Sequence, residues 1–437
     1  MKERMNVVEL ITKGPKGTAD ILPPESKGWV LLESVLKNEA ELNGFSEVRT
    51  PLFEHTELFL RGVGDTTDVV EKQMYTFEDK GGRSITLRPE GTAGVVRAML
   101  ESGHYNGGYP IKLYYVASCY RYEKPQKGRL RELHQFGVEV FGADSPAADA
   151  QVIALGKSAF DRLGLKNVRI ELNSIGCPDC RARYHDELRR YFGQYRDQLC
   201  DTCLSRLQRN PMRILDCKSP VCAEISAGAP KIIDYICDDC REHFDSVKAC
   251  LDTIGIEYTL KPELVRGLDY YTRTVFEFVS GDIGSQSAIG GGGRYDRLVE
   301  ELGGKPTSGL GFGLGLDRIM LVMQVQGLEL PQQGKCELYI APMGQAAQQK
   351  AFQMANALHH CGVSADFDIC GKGLKAQMKY ADKIGVRFSL VLGDNEMKSG
   401  LAELKNMKTG EKATVRIGGD FTDDYLQKTT ELEGGLL

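Results

Sequence analysis

"CYRYEKPQKGRLRELHQFGVEVFG", residues 119–142, is the stretch on which the reading of this chain turns. Two apolar segments flank the polar "EKPQKGRLRE", which predicts a long antiparallel hairpin over about 113–142. The two-residue period puts Arg121 and Glu123 on one face of the first strand. On the return strand Gln135 and Glu139 share a face, and Phe136, Val138 and Val140 take the opposite one. The apolar side packs on a core. The polar side has two readings, a solvated outer face or a binding surface. The loop favours the second: from Arg121 to Glu132 it carries Arg121, Lys124, Lys127, Arg129 and Arg131 against only Glu123 and Glu132. Such a patch in a chain of net charge -5 suits a polyanion, ATP or an RNA backbone.

Upstream, residues 26–43 show helical spacing, and "GFSEVRTPLFEHTELF" reads as a strand stopped by Pro51. Downstream, residues 171–261 hold most of the cysteines between helical stretches and read as an inserted domain. Strand-like texture returns with "LVRGLDYYTRTVFEF" (264–278), "AIGGGGRYDRLV" (288–299) and "SGLGFGLGLDRIML" (308–321). A Pro- and Gly-containing linker, "LPQQGKCE", precedes alternating strands and helices, a small α/β domain at 335–425 followed by a tail at 426–437.

The 437 residues correspond to about three domains. With 26% charged and 42% hydrophobic residues, the composition is that of a soluble globular chain. The first residues lack the apolar core of a signal peptide, and no later run reaches the roughly 18 apolar residues of a membrane span, so a cytoplasmic protein is expected. The thirteen cysteines are then reduced thiols or metal ligands.

No standard phosphate loop is present. "ALGKSAF" has Gln151 where a GxxxxGK[ST] loop needs glycine, and "GLGFGLGLDR" has leucines at 314 and 316 where GxGxxG needs glycine. Its glycines at 309, 311, 313 and 315 alternate instead. They strip one strand face of side chains, so that a flat purine can lie on the backbone. Arg318 follows at the start of an apolar helix, where it meets a phosphate or lies on the surface. In "AIGGGGR" the glycines leading to Arg294 read as backbone packing. In "LRPEGTAGVVRAM" (87–99), Thr92 is either a helix cap or a neighbour of Glu90 at an ammonium site.

Together these pieces resemble a class II aminoacyl-tRNA synthetase. "VRTPLFEHTELF" is similar to the first signature of that class, the 119–142 hairpin to the second and "GLGFGLGLDRIML" to the third. "RGLDYYTRTVFEF" and the opening "PKGTADILPPES" resemble the histidyl-tRNA synthetase family, and the likeness spans nearly the whole chain. It implies an α+β fold: an antiparallel-sheet catalytic core at 1–170 and 262–330, an inserted mainly helical domain at 171–261, and a C-terminal α/β anticodon-binding domain at 335–425.

The resemblance further implies activation of L-histidine by ATP with Mg2+, giving histidyl-adenylate and pyrophosphate, then transfer to the 3′ end of histidine tRNA. Arg121 and Arg266 would hold the α-phosphate and be the catalytic residues, with Arg318 on the γ-phosphate and Glu123 also binding ATP. Glu90, Gly91, Thr92, Gln135, Glu139, Tyr270 and Tyr271 would bind histidine, Glu139 and Tyr271 reading the imidazole. Lys127, Arg129 and Arg131 would meet the tRNA acceptor end, and the "GKGLKAQMKYADKIG" helix is either an anticodon contact or a solvated face. No editing domain is expected, because a site that hydrogen-bonds a polar side chain rejects analogues lacking it. A homodimer formed through the first signature is expected as well.

Cys177/Cys180, Cys200/Cys203, Cys217/Cys222 and Cys237/Cys240 form close pairs. Eight thiolates serve two tetrahedral structural zinc ions, or remain unligated. Two rival functions share the fold, a regulatory subunit of ATP phosphoribosyltransferase and a sensor of uncharged tRNA. The first would lack residues 335–425 and the arginine set; the second would be fused to a kinase, for which this chain has no segment.

Overall fold

The hairpin becomes the centre of an eight-stranded sheet. A computed structural model describes residues 12–64, 67, 69–328 and 336–432, in two units, Met1–Leu330 and Pro331–Leu437. In the first, the hairpin strands Ile111–Tyr120 and Glu132–Phe141 pair along their full length, Ile111 opposite Phe141 and Tyr120 opposite Glu132. Across the sheet the order is Ser46–Glu47, Ile111–Tyr120, Glu132–Phe141, Gly309–Gly315, Ala288–Arg294, Thr272–Ser280, Val168–Ser174 and Thr259–Leu260. Neighbours are antiparallel except the two short edge strands, which run parallel to theirs.

Phe136, Val138 and Val140 do face a core. They join Phe276, Phe278 and Phe312 from the neighbouring strands, under the helices Glu25–Leu42, Pro146–Arg162 and Leu316–Val325. The opposite face is left for the polar side chains of the same strands. Register then decides what sits beside them: Gly311 lies opposite Glu139, Gly313 opposite Gly137 and Gly315 opposite Gln135, while Gly313 also pairs with Gly291.

Several boundaries differ from the sequence reading. The first hairpin strand ends at Tyr120, so Arg121 and Glu123 lie beyond it, in a loop that turns at Gly128. "GFSEVRTPLFEH" splits into Ser46–Glu47 and Phe53–His55, the latter in a separate three-stranded sheet with Ser84–Leu87 and Tyr75–Glu78. Position 171 falls inside a strand of the large sheet and 261 just after another, so the helical part is narrower, from Pro178–Gly193 to Asp238–Thr253. That part does not have a core of its own: Tyr184, Leu188 and Phe192 belong to one apolar cluster with Tyr115, Tyr270, Tyr271 and Tyr295. Shared burial removes the composition break that would mark a boundary.

The second unit has the strand order Ala365–Phe367, Leu338–Pro342, Phe388–Leu392, Leu401–Asn406 and Lys412–Arg416, the first three parallel and the rest antiparallel. Its core includes Leu338, Ile340, Leu390 and Leu404. The last helix is Phe421–Leu432, and its Phe421 and Tyr425 are in that core, so the tail expected from 426 begins inside a packed helix. The linker reading at 330–335 lies outside the described residues. No helix among the described residues is long and apolar enough to cross a membrane.

Candidate active site

A cavity of about 290 Å³ opens on the polar face of the sheet. Its floor is backbone, from Gly290, Gly291, Gly313 and Gly315. The alternating glycines have a physical cause: a methyl at Gly311 would run into the Glu139 carboxylate, and one at Gly313 would come within 2.7 Å of Gln135 Nε2. Each glycine admits a polar side chain from the next strand. "AIGGGGR" splits in function, since Gly290 and Gly291 line the cavity and Gly292 and Gly293 press on neighbouring backbone, the role expected for all four.

Arg121, Arg266 and Arg318 all line this one cavity, from the hairpin loop, the segment before the 272–280 strand and the helix after the 309–315 strand. Each is held by backbone or a carboxylate. Arg121 Nε donates to the Pro89 carbonyl at 2.8 Å, and Arg318 donates to the carbonyls of Gly128 (3.0 Å) and Ala288 (2.5 Å). Arg266 pairs with Glu277 and stacks over the Tyr271 ring with its Cζ 5.6 Å from the centroid, and its Nε is buried without a hydrogen-bonding partner. Burial first, then the nearby charges of Arg129 and Arg121, hold Arg318 below the usual guanidinium range. Like charges so crowded form a site for a polyanion.

Glu90, Thr92, Gln135, Tyr115, Tyr270 and Tyr271 line the same cavity. Glu90, not Thr92, caps the helix Thr92–Ser102: its carboxylate accepts the backbone N–H groups of Thr92 and Ala93, both at 2.8 Å. Thr92 instead donates its hydroxyl to Glu139 at 2.7 Å. Burial raises the Glu90 carboxyl, against those hydrogen bonds. Tyr270 and Tyr271 are buried, with ring centroids 4.7 Å apart.

Two expected residues sit behind the wall. Glu139 is 1% exposed, its carboxylate taken by Thr92 and the Tyr295 hydroxyl, and burial pushes its pKa up to about 8. It reaches the cavity through Thr92. Gly91 leaves the space that the Tyr115 ring fills. Arg129, assigned by resemblance to tRNA, lines the cavity and pairs with Glu123. Arg131 is packed, its guanidinium 3.9 Å from the Tyr122 ring centroid and its Nε donating to the Glu123 carbonyl at 3.1 Å, because a loop beyond the strand end folds back on itself. Lys127 stays exposed, near a second cavity beside Trp29.

The sequence reading passed over Tyr115, Glu277 and Asp317, which also line the site. Glu277 had a signal: it is the lone carboxylate in "TVFEFV", on the face opposite Phe276 and Phe278. Tyr115 had none. It lies in an apolar run, and only the packing of its ring against Gly91 and Gly137 places it at the site.

A glycine-floored antiparallel sheet, three convergent guanidiniums and a separate α/β unit define the architecture of a class II aminoacyl-tRNA synthetase. A family model for histidyl-tRNA synthetase matches residues 17–179 and 230–319, and one for an anticodon binding domain matches 337–422. A curated histidine–tRNA ligase of Acetivibrio thermocellus is 53% identical over 408 residues, 93% of this chain and 98% of that protein. Another, from Halothermothrix orenii, is 50% identical, covering 93% and 97%. The crystal structure of apo S. aureus histidyl-tRNA synthetase aligns with a TM-score of 0.80 at 39% identity, over 93% of this chain and 98% of that one. The chain belongs to the histidyl-tRNA synthetase family.

Proposed function

We propose that this cavity carries out the histidine–tRNA ligase reaction with the following division of labour. The observation that carries the reading is the convergence of Arg121, Arg266 and Arg318 over one backbone floor. ATP lies with its purine on the glycines and its triphosphate among the guanidiniums. The histidine carboxylate attacks the α-phosphorus, the α–β bridging bond breaks, and pyrophosphate leaves. Negative charge grows on the phosphate oxygens in that step, so fixed cations in a low-dielectric pocket supply most of the acceleration. Arg121 and Arg266 act on the α-phosphate and Arg318 on the γ-phosphate. Glu123, paired with Arg129, and Glu277, paired with Arg266, would hold Mg2+, which neutralises phosphate charge when bound.

Histidine lies beside the paired tyrosines. Glu90 receives its ammonium group beside Thr92 and Gln135, while Tyr271 and Glu139, the latter relayed by Thr92, set the polarity of the imidazole pocket. In the second step the terminal ribose hydroxyl of histidine tRNA attacks the activated carbonyl and AMP departs. The exposed Lys124 and Lys127 support acceptor-stem binding, and the C-terminal unit supports anticodon binding. A homodimer is supported by apolar surface around the first signature, where Leu52, Phe53 and Phe77 are 41, 54 and 48% exposed. A cytoplasmic location follows from the tRNA substrate.

Exchange of labelled pyrophosphate into ATP tests the assignment, run with each of twenty amino acids. Histidine alone is expected to support it, and Arg266→Ala to slow it by roughly 10²–10³-fold with histidine affinity nearly unchanged. No exchange at saturating histidine would favour a regulatory protein on the same fold.

A further inference from the structure

We infer that the eight clustered cysteines build two separate tetrahedral zinc sites, and that the second braces the loop carrying Arg266. The fold sorts the four sequence pairs into two sets. Cys177 and Cys180 meet Cys237 and Cys240, and Cys200 and Cys203 meet Cys217 and Cys222; within each set all sulfurs lie within 4.8 Å of one another. A Zn2+ ion with Zn–S bonds of about 2.3 Å spaces its four sulfurs about 3.8 Å apart. The Cys177–Cys180 sulfurs are 3.5 Å apart and those of Cys200 and Cys217 3.9 Å apart. Disulfides need about 2.05 Å, and all thirteen cysteines are unbridged. A four-iron cluster places each cysteine on a different iron and spreads the sulfurs wider than this, so each set suits a single ion.

Helix starts and backbone hydrogen-bond donors face several of the sulfurs. Cys177, Cys200 and Cys237 each sit at the N-cap of a helix, of Pro178–Gly193, Asp201–Arg209 and Asp238–Thr253, where the helix dipole favours negative charge. The Cys237 N–H donates to Cys180 Sγ at 3.0 Å, and the Cys200 N–H to Cys222 Sγ at 3.4 Å. One cysteine of every pair is buried. The helices Asp201–Arg209 and Pro220–Ala227 bury one hydrophobic side chain each besides cysteine, Leu207 and Ile225, a thin apolar contact of the kind to which small modules add metal.

The first site fastens the start of Pro178–Gly193 to the start of Asp238–Thr253. The second closes the loop 203–217, from which Asn210 Nδ2 donates to Asp269 Oδ1 at 3.0 Å and Arg213 Nη1 to the Arg266 carbonyl at 2.8 Å. Metal there fixes the backbone of the residue placed on the α-phosphate. This positioning role, unlike metal binding itself, rests on the proposed function.

The full chain, purified without chelator, should contain two equivalents of zinc, and Cys240→Ser and Cys222→Ser one each. Cobalt in place of zinc should give thiolate charge-transfer and tetrahedral d–d bands at double the intensity of either variant. Less than about half an equivalent of zinc in wild type, with no cobalt bands on reconstitution, would overturn both sites, as would iron in place of zinc. Two equivalents retained in both variants would put the metal elsewhere. Wild-type cobalt spectra decide the matter where a variant fails to fold. Amide exchange over 264–271 should quicken in Cys222→Ser; unchanged exchange beside a lost zinc equivalent would remove the bracing role and leave the metal sites standing.

Discussion

At Gly291 the cavity floor and the Arg266 guanidinium nearly touch. A methyl group there would stand 2.7 Å from the Phe276 carbonyl and 2.8 Å from Arg266 Nη1. Both contacts are too short, so the strand pair must shift at the carbonyl and the guanidinium must move as well. Gly291→Ala should therefore cut histidine-dependent pyrophosphate exchange by roughly 10- to 100-fold, the scale of a misplaced reacting group, while thermal unfolding stays cooperative. Exchange at the wild-type rate would show that Arg266 is not held where the chemistry needs it. Arg121 and Arg266 were legible as charges beside apolar segments, and both line the cavity. Tyr115 was not, because a tyrosine among apolar residues in a strand looks like core until the glycines facing it are known.

At the scale of the element, the hairpin shows the reach and the limit of period-two reasoning. The alternation along 132–141 sorted Gln135 and Glu139 from Phe136, Val138 and Val140, since pleating alone dictates it. Past Tyr120 the period ends, and the loop's five cations take unlike roles. Arg121 and Arg129 enter the cavity, Arg131 stacks on Tyr122, and Lys124 and Lys127 remain exposed. Replacing Lys124 and Lys127 together by alanine should raise the KM for tRNA several-fold. It should also lower the salt dependence of tRNA binding by about one unit of log–log slope per lysine and leave pyrophosphate exchange untouched. A matching fall in exchange would place these lysines at the ATP site.

For the whole molecule, each unit has its own apolar core, around Phe136 and Phe276 in the first and around Leu338 and Tyr425 in the second. Removing residues 331–437 should leave histidine-dependent pyrophosphate exchange measurable and reduce tRNA charging by roughly 10²-fold, because a second tethered contact with the tRNA is lost. Loss of exchange as well would tie the second unit to adenylation. Composition, strand alternation and the signature segments were enough to give the α+β class and to single out Arg121, Arg266 and Arg318, which the fold brings to one cavity, since these depend on short-range periodicity and on residue chemistry. Three things depended on the folded chain: the grouping of eight cysteines into two sets of four, the withdrawal of Glu139 behind Thr92, and the turn of Arg129 into the cavity. Each depends on which distant strands and helices become neighbours, and packing settles that only when the whole chain closes on one core.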